Sequence, residues 1–146
     1  MTVPQRISIV TLGVADLAVS TAFYESLGWH KSSDSMDSIT FFQTDGSVFG
    51  LYEREALADD AAVPSDGSGF RGVTLALNVG SPDDVDEVFA EFVAAGATPL
   101  KRPEKVFWGG YSSYVADPDG HLWELAHNPH ATFGPDGRLA IGDPVD

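Results

Sequence analysis

The chain contains no cysteine, so it has no disulfide framework, no thiol nucleophile and no cysteine-based zinc site. Basic residues are few, 8 Lys and Arg against 22 Asp and Glu, for a formal charge of −14. Such a field repels nucleic acid and anionic membranes and attracts cationic ligands, although solubility alone also accounts for it. Long hydrophobic runs are missing as well. "MTVPQRISIVTLGV" has no signal-peptide core, and no apolar stretch reaches membrane-spanning length. These absences predict a cytoplasmic protein with no nucleic-acid or membrane partner. A length of 146 residues, 43% hydrophobic and 21% charged, fits one globular domain with a real core.

Along the chain, "ISIVTLGV" reads as a strand and "DLAVSTAFYESLGW" as a helix capped by Asp16 and ended by Gly28. "SITFFQ" and "SVFGLYE" are strands around Thr44-Asp45-Gly46. Residues 54–69 form a polar loop with one helical turn at "REALADD". The order then repeats. "GVTLALNV" is a strand, and "SPDDVDEVFAEFVAAG" a helix with Ser81 as N-cap and Pro82 at N1. "ATPLKRPEKVF" is a broken edge strand, and "YSSYVA" and "HLWELAH" form a last hairpin. "TDGSVFGLY" (44–52) matches "PDGHLWELA" (118–126), and "IVTLGV" (9–14) matches "TLALNV" (74–79). Each half therefore reads βαβββ, with module 1 at about 6–54, a linker at 55–69, module 2 at about 70–128 and a tail at 129–146. The tail, with its own Asp-Gly turn, is expected to fold back on the body.

This doubled α+β pattern, with "VTLGVADL" and "AFYESLGW" at its start and "DPDGHLWEL" at its end, resembles the vicinal oxygen chelate superfamily. That group holds glyoxalases, extradiol dioxygenases and bleomycin resistance proteins. The resemblance implies two βαβββ modules pairing into a curled, half-open barrel sheet around a small-molecule site, with helices outside.

Strand alternation is independent of the resemblance. Val10, Leu12 and Val14, and likewise Val73, Leu75, Leu77 and Val79, should pack the helices. The opposite faces carry Thr11, Gly13, Thr74, Ala76 and Asn78, and in the hairpins Val48, Gly50, Tyr52, Leu122, Glu124 and Ala126. Side chains this short leave a cavity in a curved sheet, or else form a core edge or a subunit contact. Trp108 and Tyr111 flank a Gly109-Gly110 turn and, with Phe42 or Phe41, are candidate aromatic walls. They could equally pack under the tail. The facing of residues 38–43 and 111–116 is left open by the sequence.

In metal-dependent members, the resemblance implies four ligands on the inner face. Those positions fall here on Ile9, Gly50, Thr74 and Glu124, of which only Glu124 is a ligand type. No metal and no cofactor is therefore expected. His30, His121, His127 and His130 share no strand face with another candidate ligand, and His127-Asn128-Pro129 should anchor the tail. Glu124 can act as a general base, as a counter-charge for a ligand, or as a relic bonded to a backbone N–H or tyrosine hydroxyl. The candidate ligand-binding set is Thr11, Phe42, Gly50, Tyr52, Thr74, Asn78, Trp108, Tyr111 and Glu124, with Glu124 the one catalytic candidate. The expected function is metal-free binding of a small aromatic or basic molecule, as in a sequestering resistance protein. A metal-independent isomerase, epimerase or lyase using Glu124 is the alternative. Open strand edges and the family's habit add a homodimer to the expectations.

Overall fold

A computed structural model describes residues 3–145. The chain divides into two compact units at the Gly67–Ser68 boundary, within the expected linker. No helix among the described residues is long and apolar enough to cross a membrane.

In the first unit, β1 (Ile9–Val14) leads into α1 (Leu17–Ser26), then β2 (Ile39–Gln43), β3 (Val48–Glu53) and α2 (Arg54–Asp60). Asp16 caps α1 by accepting the Val19 N–H at 3.1 Å, and Gly28 takes a positive φ of 89° just past its end. The sheet order is β1-β3-β2, with β1 parallel to β3. The first unit therefore runs βαββ. The place of a fourth strand is taken by two isolated bridges, Lys31 to Phe42 and Met36 to Ile39, because "SSDSMDS" supplies neither alternation nor β-formers.

Register sorts the side chains of this sheet into two faces. Leu12, Leu51 and Thr40 form one row, and Val10, Phe49 and Phe42 another, on the side that packs α1. Phe42 is 1% exposed and lies 5.8 Å from Trp29 and 6.2 Å from Tyr24, ring centre to ring centre. A candidate wall by sequence, it is instead part of the aromatic core, and Phe41 occupies the opposite face.

The second unit is a full βαβββ: β4 (Thr74–Asn78), α3 (Pro82–Ala94), β5 (Thr98–Lys105), β6 (Tyr111–Ala116) and β7 (Leu122–His127). Ser81 caps α3 on the Asp84 N–H, with Pro82 at the first turn as expected. The sheet order is β4-β7-β6-β5, and β4 runs parallel to β7. α3 buries Val85 and Phe92, and Phe92 meets Trp123 at 6.0 Å. Leu125 and Val115, both fully buried, share the helix side with Trp123. Val73, expected to join that aliphatic surface, stays exposed one residue before β4 begins.

The tail forms its own hairpin, β8 (Thr132–Phe133) with β9 (Leu139–Ala140), around Asp136-Gly137. It pairs with itself, leaving Phe133, Leu139 and Ile141 exposed. Asn128 starts it by accepting the His130 N–H at 2.9 Å.

Because Phe42 is core, Phe42→Ala should cost about 3–5 kcal/mol of stability, and Phe41→Ala clearly less. Urea unfolding of both variants checks this, and equal costs would contradict the assignment of faces.

Candidate functional site

The motif "DPDGH" builds the turn that sets the site. Asp117, 4% exposed, accepts the N–H groups of Asp119 and His121 on Oδ1, each at 2.9 Å. Gly120 takes a positive φ of 79°. Arg71 clamps the turn from outside, donating to His121 Nδ1 at 2.9 Å and to the Asp119 carbonyl at 3.0 Å. This hairpin pairs Ala116 with Leu122, Tyr114 with Glu124, and Ser112 with Ala126.

Three rows of side chains therefore cross the face of the second sheet opposite α3. Thr74, Leu122, Ala116 and Thr98 form the first. Ala76, Glu124, Tyr114 and Lys101 form the second, and Asn78, Ala126, Ser112 and Glu104 the third. Lys101 is held by Glu104 at 3.0 Å, at the sheet's far edge. The Glu124 carboxylate is half-buried and flanked on one side by a single methyl, Ala76, which is exposed.

Two hydroxyls meet that carboxylate at the same oxygen. Tyr114 donates to Oε2 at 2.8 Å and Ser112 at 3.2 Å. Among the described residues, no hydrogen bond falls on Oε1. The tyrosine bond expected of a relic is thus present, and it leaves half of the carboxylate available. The hydrogen bond to Glu124, then burial, then the Glu124 charge raise the Tyr114 phenol above its ordinary value of 10.0. One row away, Asn78 Oδ1 is buried with no partner among the described residues, which costs free energy unless something donates to it.

The other candidates fall apart from this group. Tyr111 lies on the helix side of β6, where its hydroxyl donates to Asp86 of α3 at 2.9 Å. It is therefore not a wall of the Glu124 face. The two consecutive serines before Tyr114 hide the alternation that would have shown this. Trp108 sits in the β5–β6 loop with its ring over Gly110, where an added Cβ would lie 1.8 Å from a ring carbon. Its indole is turned onto its own loop.

In the first unit, Thr11, Gly50 and Phe41 share a row, as do Gly13, Tyr52 and Ile39. Gly50 leaves no room for a ligand group. A Cβ there would meet the Thr11 hydroxyl at 3.2 Å and the Phe41 ring at 3.4 Å, so those side chains fill the space. At Gly13 the backbone of Arg54 closes in to 3.3 Å of such a Cβ. Arg54 is pinned by its bonds to the carbonyls of Ser65 (2.8 Å) and Gly67 (3.3 Å).

The residues do not fit a divalent ion of the superfamily. Ile9 and Gly50 carry no donor atom, and Thr74 lies in the row beside Glu124's, with Leu122. No three His, Cys, Asp or Glu among the described residues converge on one point. His127 faces the helix side and contacts the Val79 carbonyl through Nδ1 at 3.1 Å, which ties the end of β7 to the residue after β4.

This α+β arrangement agrees with the comparisons. The profile of the Glyoxalase/Bleomycin resistance protein/Dioxygenase superfamily matches residues 6–125, and the chain belongs to that superfamily. A glyoxalase-related enzyme from Fulvimarina pelagi is 35% identical, with a TM-score of 0.86 over 96% of this chain and 100% of its own. A glyoxalase/bleomycin resistance protein/dioxygenase from Nocardioides is 25% identical, with a TM-score of 0.71 over 87% of this chain and 85% of its own. A family enzyme from Burkholderia phytofirmans, 24% identical with a TM-score of 0.76, covers 84% of this chain and 98% of its own, and shares the fold. No curated protein matches the chain.

The Tyr114–Glu124 bond should be visible in alkaline titration. The folded state holds the phenol proton more tightly than the unfolded chain. The bond's stabilisation is therefore present below pH 10 or so and fades as pH rises through the raised pKa. The ultraviolet difference between wild type and Tyr114→Phe should show ionisation above pH 10, moving back towards 10 when Glu124 is also changed to Gln. A difference centred at or below 10 in wild type would contradict the bond.

Proposed function

We propose that the chain is a small-molecule-binding member of its superfamily that works without a metal and captures a basic, amphipathic ligand on the Glu124 face. The observation that carries this reading is the half-engaged carboxylate. Oε2 is satisfied within the protein while Oε1 is left for a donor from outside. Ala76, exposed, and Leu122, half-buried, give the ligand apolar contact beside the carboxylate. A net charge of −14 favours a cationic ligand and its rapid encounter. With Tyr111 and Phe42 packed elsewhere, less remains for stacking, so the basic end of an aromatic-or-basic range is favoured. Sequestration needs nothing more than this binding, and a second copy of the chain, as a homodimer, is part of the same proposal.

One feature supports an enzyme instead. Tyr114 places a proton-bearing hydroxyl on the same carboxylate, and so supplies the partner that a lone base lacks. In that reading Oε1 takes a proton from carbon in a metal-free isomerisation, epimerisation or elimination. Turnover of a bound ligand, monitored by mass spectrometry or deuterium exchange, separates the two.

In a calorimetric screen of basic amphipathic compounds, binding should persist in EDTA. Glu124→Gln should weaken it by about 1–3 kcal/mol, the usual cost of losing a charged hydrogen-bond partner. Affinity that vanishes on chelation, or that Glu124→Gln leaves unchanged, would sink the proposal.

Asn78→Leu tests the neighbouring row. It removes a buried, unsatisfied oxygen, so the unliganded protein should gain about 1 kcal/mol of stability by urea unfolding. A loss of stability would mean that the amide is satisfied in the native protein.

A further inference from the structure

The way Glu124 is held bears on which cation it can accept. A carboxylate oxygen has two lone-pair directions. Both on Oε2 are taken, by the Tyr114 hydroxyl at 2.8 Å and the Ser112 hydroxyl at 3.2 Å. Oε1 has no bond among the described residues. A guanidinium or amidinium gains its advantage from a fork, two parallel N–H groups on the two oxygens of one carboxylate. Here the second prong would have to displace a hydroxyl and strand it over a face whose other near neighbours are Ala76 and Ala126. An ammonium is a compact point charge that needs one acceptor atom at a time. It can sit on Oε1 beside the Ala76 methyl with nothing displaced.

We propose that the Glu124 face discriminates between cations, accepting amines and rejecting forked cations of equal size, and that Tyr114 and Ser112 set this specificity by saturating Oε2. The inference rests on the basic-ligand reading above and narrows it to a substrate class, aliphatic amines carried on an apolar or aromatic body. Tyr114 and Ser112 are positioning residues here: they act on the ligand through the carboxylate.

The test is calorimetry with two matched pairs, phenethylamine and phenethylguanidine, and tryptamine and its guanidine analogue. Wild type should bind each amine about tenfold or more tightly than its guanidine, since seating the fork breaks one hydrogen bond to a charged group. In Tyr114→Phe, in Ser112→Ala and in the double variant, the guanidine should gain and the preference should shrink below about threefold. Circular dichroism and urea midpoints identify any variant that fails to fold, and the wild-type comparison decides the selectivity by itself. A guanidine that binds wild type as tightly as its amine, with Glu124→Gln weakening both, overturns the selectivity and leaves the basic-ligand reading standing. A preference that survives unchanged in the folded variants overturns the role given to the two hydroxyls. If wild type binds neither member of either pair, the basic-ligand reading falls, and this inference with it.

Discussion

A carboxylate set in the middle of a sheet face, held by two hydroxyls on one oxygen, is the interaction on which the site depends. Glu124 is flanked by Ala76 and Tyr114 and lies between Leu122 and Ala126 along its own strand. An ionised group there has to be partnered. Tyr114 and Ser112 supply the partners from the next strand, two residues apart and so on the same face. The rest of the second unit keeps that geometry. Trp123 and Leu125, on either side of Glu124, are buried on the helix side and lock the alternation of β7. A register slip by one residue would put both in solvent and Glu124 in the core. Asp117 and Arg71 fasten the turn that fixes the register.

The two units share a plan but have diverged in what they do with it. At the position equivalent to Glu124 the first unit has Gly50, and the space over it is occupied by Thr11 and Phe41. Its other side is a cluster of Tyr24, Trp29, Phe42 and Phe49 rings at 4.9–6.3 Å, an arrangement that adds to area burial. One half has become core and the other carries polar chemistry. Where metal-dependent members of the superfamily need donors from both halves, Ile9 and Gly50 supply none.

Much of the fold was legible because the local signals agree with one another. Both long helices carry a cap and a terminal glycine, and the Asp-Gly turns mark the hairpins. Strand facing was legible in β3 and β7, where large and small side chains alternate. It was not legible in β2 and β6, where Phe41-Phe42 and Ser112-Ser113 present like residues to both faces. The facing of Phe42 and Tyr111 stays open in the sequence for that reason, and Tyr114 is not singled out by it. One signal could have recovered it. The turn at Asp119-Gly120 sets Asp117 opposite His121, and counting back along both strands pairs Tyr114 with Glu124. The absent fourth strand of the first unit, and the tail hairpin that pairs with itself, are weaker patterns that tertiary context decides.

The most direct measurement of the central claim is the carboxyl carbon resonance of Glu124 in protein labelled with 13C-glutamate, recorded as a basic ligand is titrated in. An acceptor engaged through its free oxygen predicts that this resonance moves on saturation while the other glutamates stay in place, with or without EDTA present. A saturated complex in which the Glu124 resonance has not moved would contradict the account and place the ligand elsewhere on the molecule.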